Sequence, residues 1–483
     1  MSEVKTIVDH GKIYLIANIT NRSAGLLLLP VYTYVLSVED YGLYAIIMAV
    51  SDLFTIVFGM GFAGAMSRFY FERNNSKQQQ NLVVSTTMLG FFAIASLILV
   101  FAYPLASLTV EVMFQSQQYL QLFMYTIAGL VFTILYELLM GYAVIRKRAW
   151  SYFAMALSKA VLFIGLNLLF VVYWKLGVPG IIYATIASLG SLSLVALAIT
   201  FSRVGFGFSK TLFKQMLLFG LPLVPSAFAN SALTTVERYY INSIIGPAAV
   251  GVYSLGHRLA SMLHMFIAAP FSQIFFVRRF ETLAKGEDQS AFHRILLLFV
   301  AVMMFFALLL SLFGTEIVWL ISPEAYLDVV VVLPLLGLSF VLSSLNLNIE
   351  LGIFYNKKTW AIPLIGFITL AVGIPANYLL IHQFGIYGAG LALLFVNIVR
   401  LVTTVLINSV LGSPFITLDW SRASSIMTVG TVLGILVNLA MSDSVSFYSV
   451  ALKLTVAAVF LMMLLKTPLL DKQTKQDLAS FRR

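Results

Sequence analysis

The stretch GVYSLGHRLASMLHMFIAAP, residues 251–270, is apolar over most of its length, yet it carries Arg258 beside His257, with His264 two turns on. At 1.5 Å per residue, a helix of that length spans roughly 30 Å, the thickness of a bilayer's hydrocarbon core. Such a run reads as a membrane-crossing helix, and its arginine needs a reason to stand where water is scarce. The rest of the chain agrees about the solvent. Of 483 residues, 60% are apolar and 10% charged, with a mean hydropathy of +0.96. A soluble domain carries about 25% charged residues. There is no cysteine, so disulfides, thiol nucleophiles and cysteine metal sites are excluded.

Apolar runs and their polar breaks predict fourteen spans, near 12–36, 41–67, 82–107, 118–144, 150–173, 179–202, 211–243, 247–277, 293–314, 326–355, 359–381, 386–411, 423–441 and 446–466. Several breaks are short and turn-like, among them SVEDYG, KLGVPG, IGPAAVG and FGIYG. The start, MSEVKTIVDHGKIYLIANIT, is polar before the first long run and has no small-residue cleavage site, so the first segment is expected to be retained. With the N-terminus placed in the cytoplasm, the inside segments collect RKR at 146–148, Lys357, Lys358 and the basic tail. The outside loops keep a single basic residue, Lys175. That asymmetry predicts a multi-pass protein with both termini cytoplasmic. It also accounts for the +10 net charge without nucleic acid, which is not an expected partner.

The chain carries a copy of itself at an offset of about 209 residues. YGLY at 41–44 matches VGVY at 250–253, RKRAW at 146–150 matches NKKTW at 356–360, Asn167 matches Asn377, and GVPG at 177–180 matches GIYG at 385–388. The offset covers six spans, an even number, so the copies are expected to be parallel repeats. In transporters built this way the substrate lies near mid-membrane between the halves. The expected fold is an all-α polytopic membrane protein of about fourteen helices, as two six-helix bundles (1–205 and 206–412). Two extra helices and a basic tail (413–483) follow.

Six basic residues fall within the predicted spans: Arg22, Lys159, Arg238, Arg258, Arg400 and Lys453; Asp52 and Glu237 are read as the acidic ones. An ionised side chain at the bilayer centre costs roughly 2.5–3.5 kcal/mol on insertion scales unless it meets water or a partner. Arg22 lies roughly 15 Å into the first span, and Asp52 at a similar depth in the second. Helical spacing puts Asn18, Arg22 and Gly25 on one face, Asp52, Thr55 and Gly59 on another, and Asn230, Thr234 and Arg238 on a third. Ser254, His257, Arg258, Ser261 and His264 form a fourth stripe. Lys159 and Lys453 lie close enough to helix ends to snorkel. Cations outnumber acids, and guanidinium suits phosphate through bidentate hydrogen bonds. Structural ion pairing, Arg22 with Asp52 and Glu237 with a neighbour, is the competing reading.

GMGFAG at 59–64 matches a dinucleotide-loop pattern in form, but it closes a membrane helix and follows no strand. There is no nucleotide-binding loop, HExxH or G-x-S-x-G, and no outside loop is large enough for a catalytic domain. An enzyme is therefore not expected, and no cofactor or metal is implied.

Three stretches resemble one family: LLLLPVYTYVLSVEDYGLYAII (26–47), RFYFE (68–72) and TTVERYYINSIIGPAAVGVYSLGHRLA (234–260). They look like the Wzx-type polysaccharide flippases, the O-antigen or capsule repeat-unit translocases of the multidrug/oligosaccharidyl-lipid/polysaccharide (MOP) exporter superfamily. Glu237 stands where many members have Asp, and Tyr34 where a basic residue is common. The resemblance implies a MATE-like fold of 6+6+2 helices in the bacterial inner membrane. It implies an undecaprenyl-diphosphate-linked oligosaccharide as substrate, flipped to the periplasmic leaflet by alternating access. Membrane lipids, a polysaccharide polymerase and a chain-length regulator are the implied partners. Arg22, Arg258, Arg238, Asn18, His257, Lys159 and Arg400 are the candidates for holding diphosphate or sugar. Asp52 and Glu237 would balance charge or carry a coupling proton. A lipid II flippase, a cation-coupled multidrug exporter and a membrane polysaccharide polymerase or ligase stay open as alternatives.

Overall fold

A computed structural model describes residues 2–72, 76–284, 290–413, 418–441 and 447–466. The described residues contain helices and turns but no strand. Twelve helical stretches among them are long and apolar enough to cross a membrane. One of these, Ala361–Val410, is fifty residues long and folds at Gly385, whose φ is 58°. Glycine reaches that left-handed conformation without a Cβ penalty, so the stretch is two helices. Counting that stretch twice gives thirteen of the fourteen predicted spans among the described residues, and the first predicted span falls on the helix Ser2–Leu27.

In chain order these are α1 (Ser2–Leu27), α2 (Val38–Gly59, resuming as Phe62–Glu72), α3 (Lys77–Val100), α4 (Leu120–Ile145), α5 (Ala149–Asn167) and α6 (Gly177–Val204). Then come α7 (Lys210–Gly220, resuming as Val224–Ile244), α8 (Pro247–Leu263, continuing to Ala284), α9 (Ser290–Leu312) and α10 (Leu333–Ile349). Residues 361–384 and 386–410 form α11 and α12, and α13 (Trp420–Met441) and α14 (Phe447–Lys466) close the chain. The start of α2 shows why the helices begin where they do. Ser37 accepts a hydrogen bond from the Asp40 amide at 3.0 Å, and Glu39 and Asp40 lie in the positive first turn.

The repeat seen in the sequence is present in the backbone of each half. Lys147 and Lys357 both sit at φ 55°. Each is followed by a residue whose amide bonds five residues back, Arg148 to Ala143 at 3.0 Å and Lys358 to Ile353 at 3.1 Å. This is the same left-handed helix ending made twice. Gly177 (φ 62°) matches Gly385 (φ 58°). Asn167 and Asn377 are both buried, and each donates its side-chain amide to the carbonyl four residues earlier, at 2.7 and 2.9 Å.

The chain divides into two compact units, Met1–Ser243 and Ile244–Arg483, one helix later than the break near 205 expected from the sequence. The reason is how α7 is held. Thr235 donates to the Ala49 carbonyl of α2 at 3.2 Å, and Asn242 to the Met113 carbonyl at 2.7 Å. At the other end of α7, Gly220 lies against the backbone of α2, where a Cβ would clash with the Met60 carbonyl oxygen. In the second unit, α13 and α14 share an apolar core with α9 and α10, including Met304, Leu308, Leu345, Met427 and Phe460. The two extra helices are thus part of that unit.

Candidate functional site

In the first unit, polar side chains from α1, α2, α4 and α5 form one connected cluster. Tyr152, one turn into α5, donates its hydroxyl to Asn18 Oδ1 on α1 at 2.7 Å. Its ring lies edge-on to that of Tyr14, with centroids 5.3 Å apart. Tyr136 on α4 donates to the Met155 carbonyl of α5 at 3.1 Å. The Lys159 ammonium stands 5.2 Å from the centre of the Tyr136 ring. It also acts electrostatically on Glu137, the next residue along α4, and Asp52 of α2 acts on the same carboxylate with like sign. Asp52 and Glu137 are exposed and Lys159 is half-buried.

Depth decides what that exposure means. Glu137 lies roughly 13 Å along α4 from the Arg146 turn, well inside the hydrocarbon layer of a spanning helix. A carboxylate facing lipid there would cost roughly 2.5–3.5 kcal/mol. Water or a polar ligand is the environment that tolerates it. Arg22, expected beside Asp52, lies on α1, but its side chain falls outside the described residues. Glu237 and Arg238 of α7 are both buried and approach to 4.0 Å, and Arg238 Nη1 donates to the Thr234 carbonyl at 3.2 Å. Arg238 Nε has no hydrogen-bond partner among the described residues.

The second unit treats its charges differently. Arg400 of α12 donates to Glu350 Oε1 at 3.0 Å, and Asn346 donates to the same oxygen at 2.7 Å. Lys453 does not snorkel. It is 2% exposed and holds both oxygens of Glu316, at 2.7 and 2.9 Å. His264 meets Ser344 Oγ at 3.2 Å. His257 lies edge-on to Phe340, with ring centroids 5.2 Å apart. Arg258 is the exception. It is exposed, while Ser254, Leu255, Leu259 and Ala260 around it on α8 are buried. Among the described residues no carboxylate pairs with it.

The acids inside the spans are therefore more numerous than Asp52 and Glu237. Glu137 and Glu350 belong with them, and the expected surplus of cations shrinks accordingly. The signal was present: each is a single acid inside an apolar run, shortly before the turns RKR (146–148) and NKK (356–358). No group of three or more His, Asp or Glu side chains suited to a metal ion occurs among the described residues.

The described residues form a multi-pass helical fold with an internal repeat and charged groups inside its long apolar helices. Residues 7–276 match the family described as polysaccharide biosynthesis protein, and the chain belongs to that family. An uncharacterized membrane protein of Haemophilus influenzae is 24% identical over 270 residues, 55% of this chain and 63% of that one. The Lsg locus putative protein 1 of the same organism is 25% identical over 267 residues, 53% of this chain and 62% of its own. The chain thus spans less than two thirds of the length of these curated relatives. Among solved structures, the lipid II flippase MurJ in an inward closed conformation superposes with a TM-score of 0.72. The alignment covers 95% of this chain and 98% of that one at 13% identity. An inward-facing multidrug resistance MATE family transporter of the MOP superfamily gives 0.65, covering 82% and 95% at 16% identity. At such identities the likeness is one of fold.

Proposed function

We propose that the protein flips undecaprenyl-diphosphate-linked oligosaccharide units across the bacterial inner membrane by alternating access, with both termini in the cytoplasm. Membership of a polysaccharide biosynthesis family on an exporter fold supports a lipid-linked substrate. The observation that carries the anion half of the reading is Arg258. It is a guanidinium on a spanning helix, exposed, with no carboxylate pairing with it among the described residues. Arg400 and Lys453 are balanced by Glu350 and Glu316. A guanidinium facing lipid would be costly, whereas one facing a diphosphate gains paired, charge-assisted hydrogen bonds. Arg258 and Arg22 are assigned to the diphosphate, with His257 beside Arg258 and Arg238 in a supporting place. Arg400 acts through its Glu350 pair, while Asp52 and Glu237 balance charge. A polymerase and a chain-length regulator would act on the delivered product.

The test is complementation of a deletion strain. Arg258→Ala should reach the membrane at the wild-type level and abolish surface polysaccharide, with lipid-linked precursor accumulating inside. Arg258→Lys, which keeps charge without the planar fork, should restore part of it. Wild-type polysaccharide from Arg258→Ala would overturn the anion assignment. Loss of peptidoglycan precursor transport in place of polysaccharide would redirect the substrate to lipid II.

A further inference from the structure

The cluster in the first unit has a composition that the diphosphate does not explain. Two carboxylates, Asp52 and Glu137, would repel a phosphate. The Lys159 ammonium beside Glu137 would repel a metal cation, and no three-ligand metal group is found among the described residues. What remains compatible is a neutral molecule rich in hydroxyl groups. Carboxylates accept from such hydroxyls, an ammonium donates to them, and Asn18 can do both. Tyr14 and Tyr152 add two rings whose negative faces suit the C–H bonds of a sugar, while Tyr136 is buried and packs behind Lys159. The Tyr14 hydroxyl itself is buried and has no hydrogen-bond partner among the described residues, next to the Asn18–Tyr152 bond.

We infer that Glu137, Asp52, Lys159 and Tyr152 bind the glycan of the transported lipid, leaving the diphosphate to the arginines. The inference rests on the flippase reading above and divides one substrate between two sets of residues. It assigns roles to Glu137 and Tyr152, and it makes Lys159 a hydroxyl donor in preference to a phosphate ligand.

The experiment uses the full chain in lipid nanodiscs and two probes. One is undecaprenyl diphosphate; the other is the undecaprenyl-diphosphate-linked glycan extracted from a strain deleted for this chain. Glu137→Gln and Tyr152→Leu should each weaken binding of the glycan-bearing lipid about tenfold, as expected for loss of a hydrogen bond to a charged group or of a ring contact. Both should leave undecaprenyl diphosphate unchanged. Tyr152→Phe keeps the ring and should retain most of the affinity, which guards against simple misfolding of the leucine variant. Equal loss for both lipids, or no loss for either, would overturn the glycan assignment. So would a loss that appears only when sodium or pH is varied, because the site would then take a cation. Wild-type protein that binds neither lipid would instead defeat the flippase reading, and the glycan site with it.

Discussion

The two units share a backbone pattern and differ in what they do with charge. At Lys147 and Lys357 the same left-handed turn closes equivalent helices, and Asn167 and Asn377 make the same bond back along theirs. Yet the second unit pairs Arg400 and Lys453 with carboxylates distant in the chain, Glu350 and Glu316, and leaves Arg258 exposed, while the first sets Arg238 beside its chain neighbour Glu237 and leaves Asp52 and Glu137 exposed. The difference teaches that duplication carried over the helix ends and turns but not the polar interior. A paired buried ion is neutral to its surroundings and stabilises geometry. An exposed ion deep in a spanning helix is costly unless it meets water or a polar group.

The comparison is most easily broken at Glu350. Glu350→Ala takes the carboxylate from both Arg400 and Asn346 and should cost about 3–5 kcal/mol, seen as a clear drop in Tm of the detergent-purified protein. Glu350→Met combined with Arg400→Met should recover most of that loss, because the pair is removed whole. A Tm unchanged by Glu350→Ala would mean that the second unit does not depend on its pairing.

Glycine contacts give the next largest effect. Gly220→Ala drives a Cβ against the Met60 carbonyl, which is backbone and cannot yield, so a loss of about 1–3 kcal/mol is expected. Gly352→Ala meets Ser413 and the buried Asn408 side chain, which its bonds to the Ile349 and Thr404 carbonyls hold in place, and should cost a comparable amount in the same melting assay. A smaller shift is expected at the matched turns. Lys147→Gly and Lys357→Gly each relieve a left-handed φ and should raise stability by about 0.5 kcal/mol, equally in both units. Unequal gains would show that the repeat is only approximate there.

The smallest stability change should come from the residues argued to matter most for transport. Glu137→Gln and Asp52→Asn touch exposed groups and should move stability by less than about 0.5 kcal/mol, while surface polysaccharide in the complementation assay falls sharply. A large loss of Tm in either variant would place these acids with the structural pairs of the second unit.

Much of this architecture is legible in one dimension. The spans follow from apolar runs, and the turns from motifs such as RKR and NKK or GVPG and GIYG. The division between units is not legible in the same way. It moved to Ser243/Ile244 because Thr235 and Asn242 bond α7 back to the first unit, and nothing in the composition of α7 announces those partners. Helical spacing likewise gathered Asn18 with Arg22 on one face but could not say that Tyr152 would meet Asn18 134 residues away. Glu137 escaped notice because a lone acid in an apolar run shows no stripe of its own. Its neighbours, Lys159 and Asp52, come from other helices.

By itself the sequence determined the membrane class, the helices, their turns and the internal duplication, because hydropathy, capping and left-handed turns are set by residues within a few positions of one another. Only the tertiary structure decided which intramembrane charges are silent and which stay open. Arg400 finds Glu350 50 residues back, and Lys453 finds Glu316 137 residues back. Such pairing depends on which helix packs beside which, and on whether the space between them is filled by a counter-ion or left to solvent. At Arg258 no carboxylate fills it among the described residues, and at Glu137 the opposite charge comes from Lys159 of another helix.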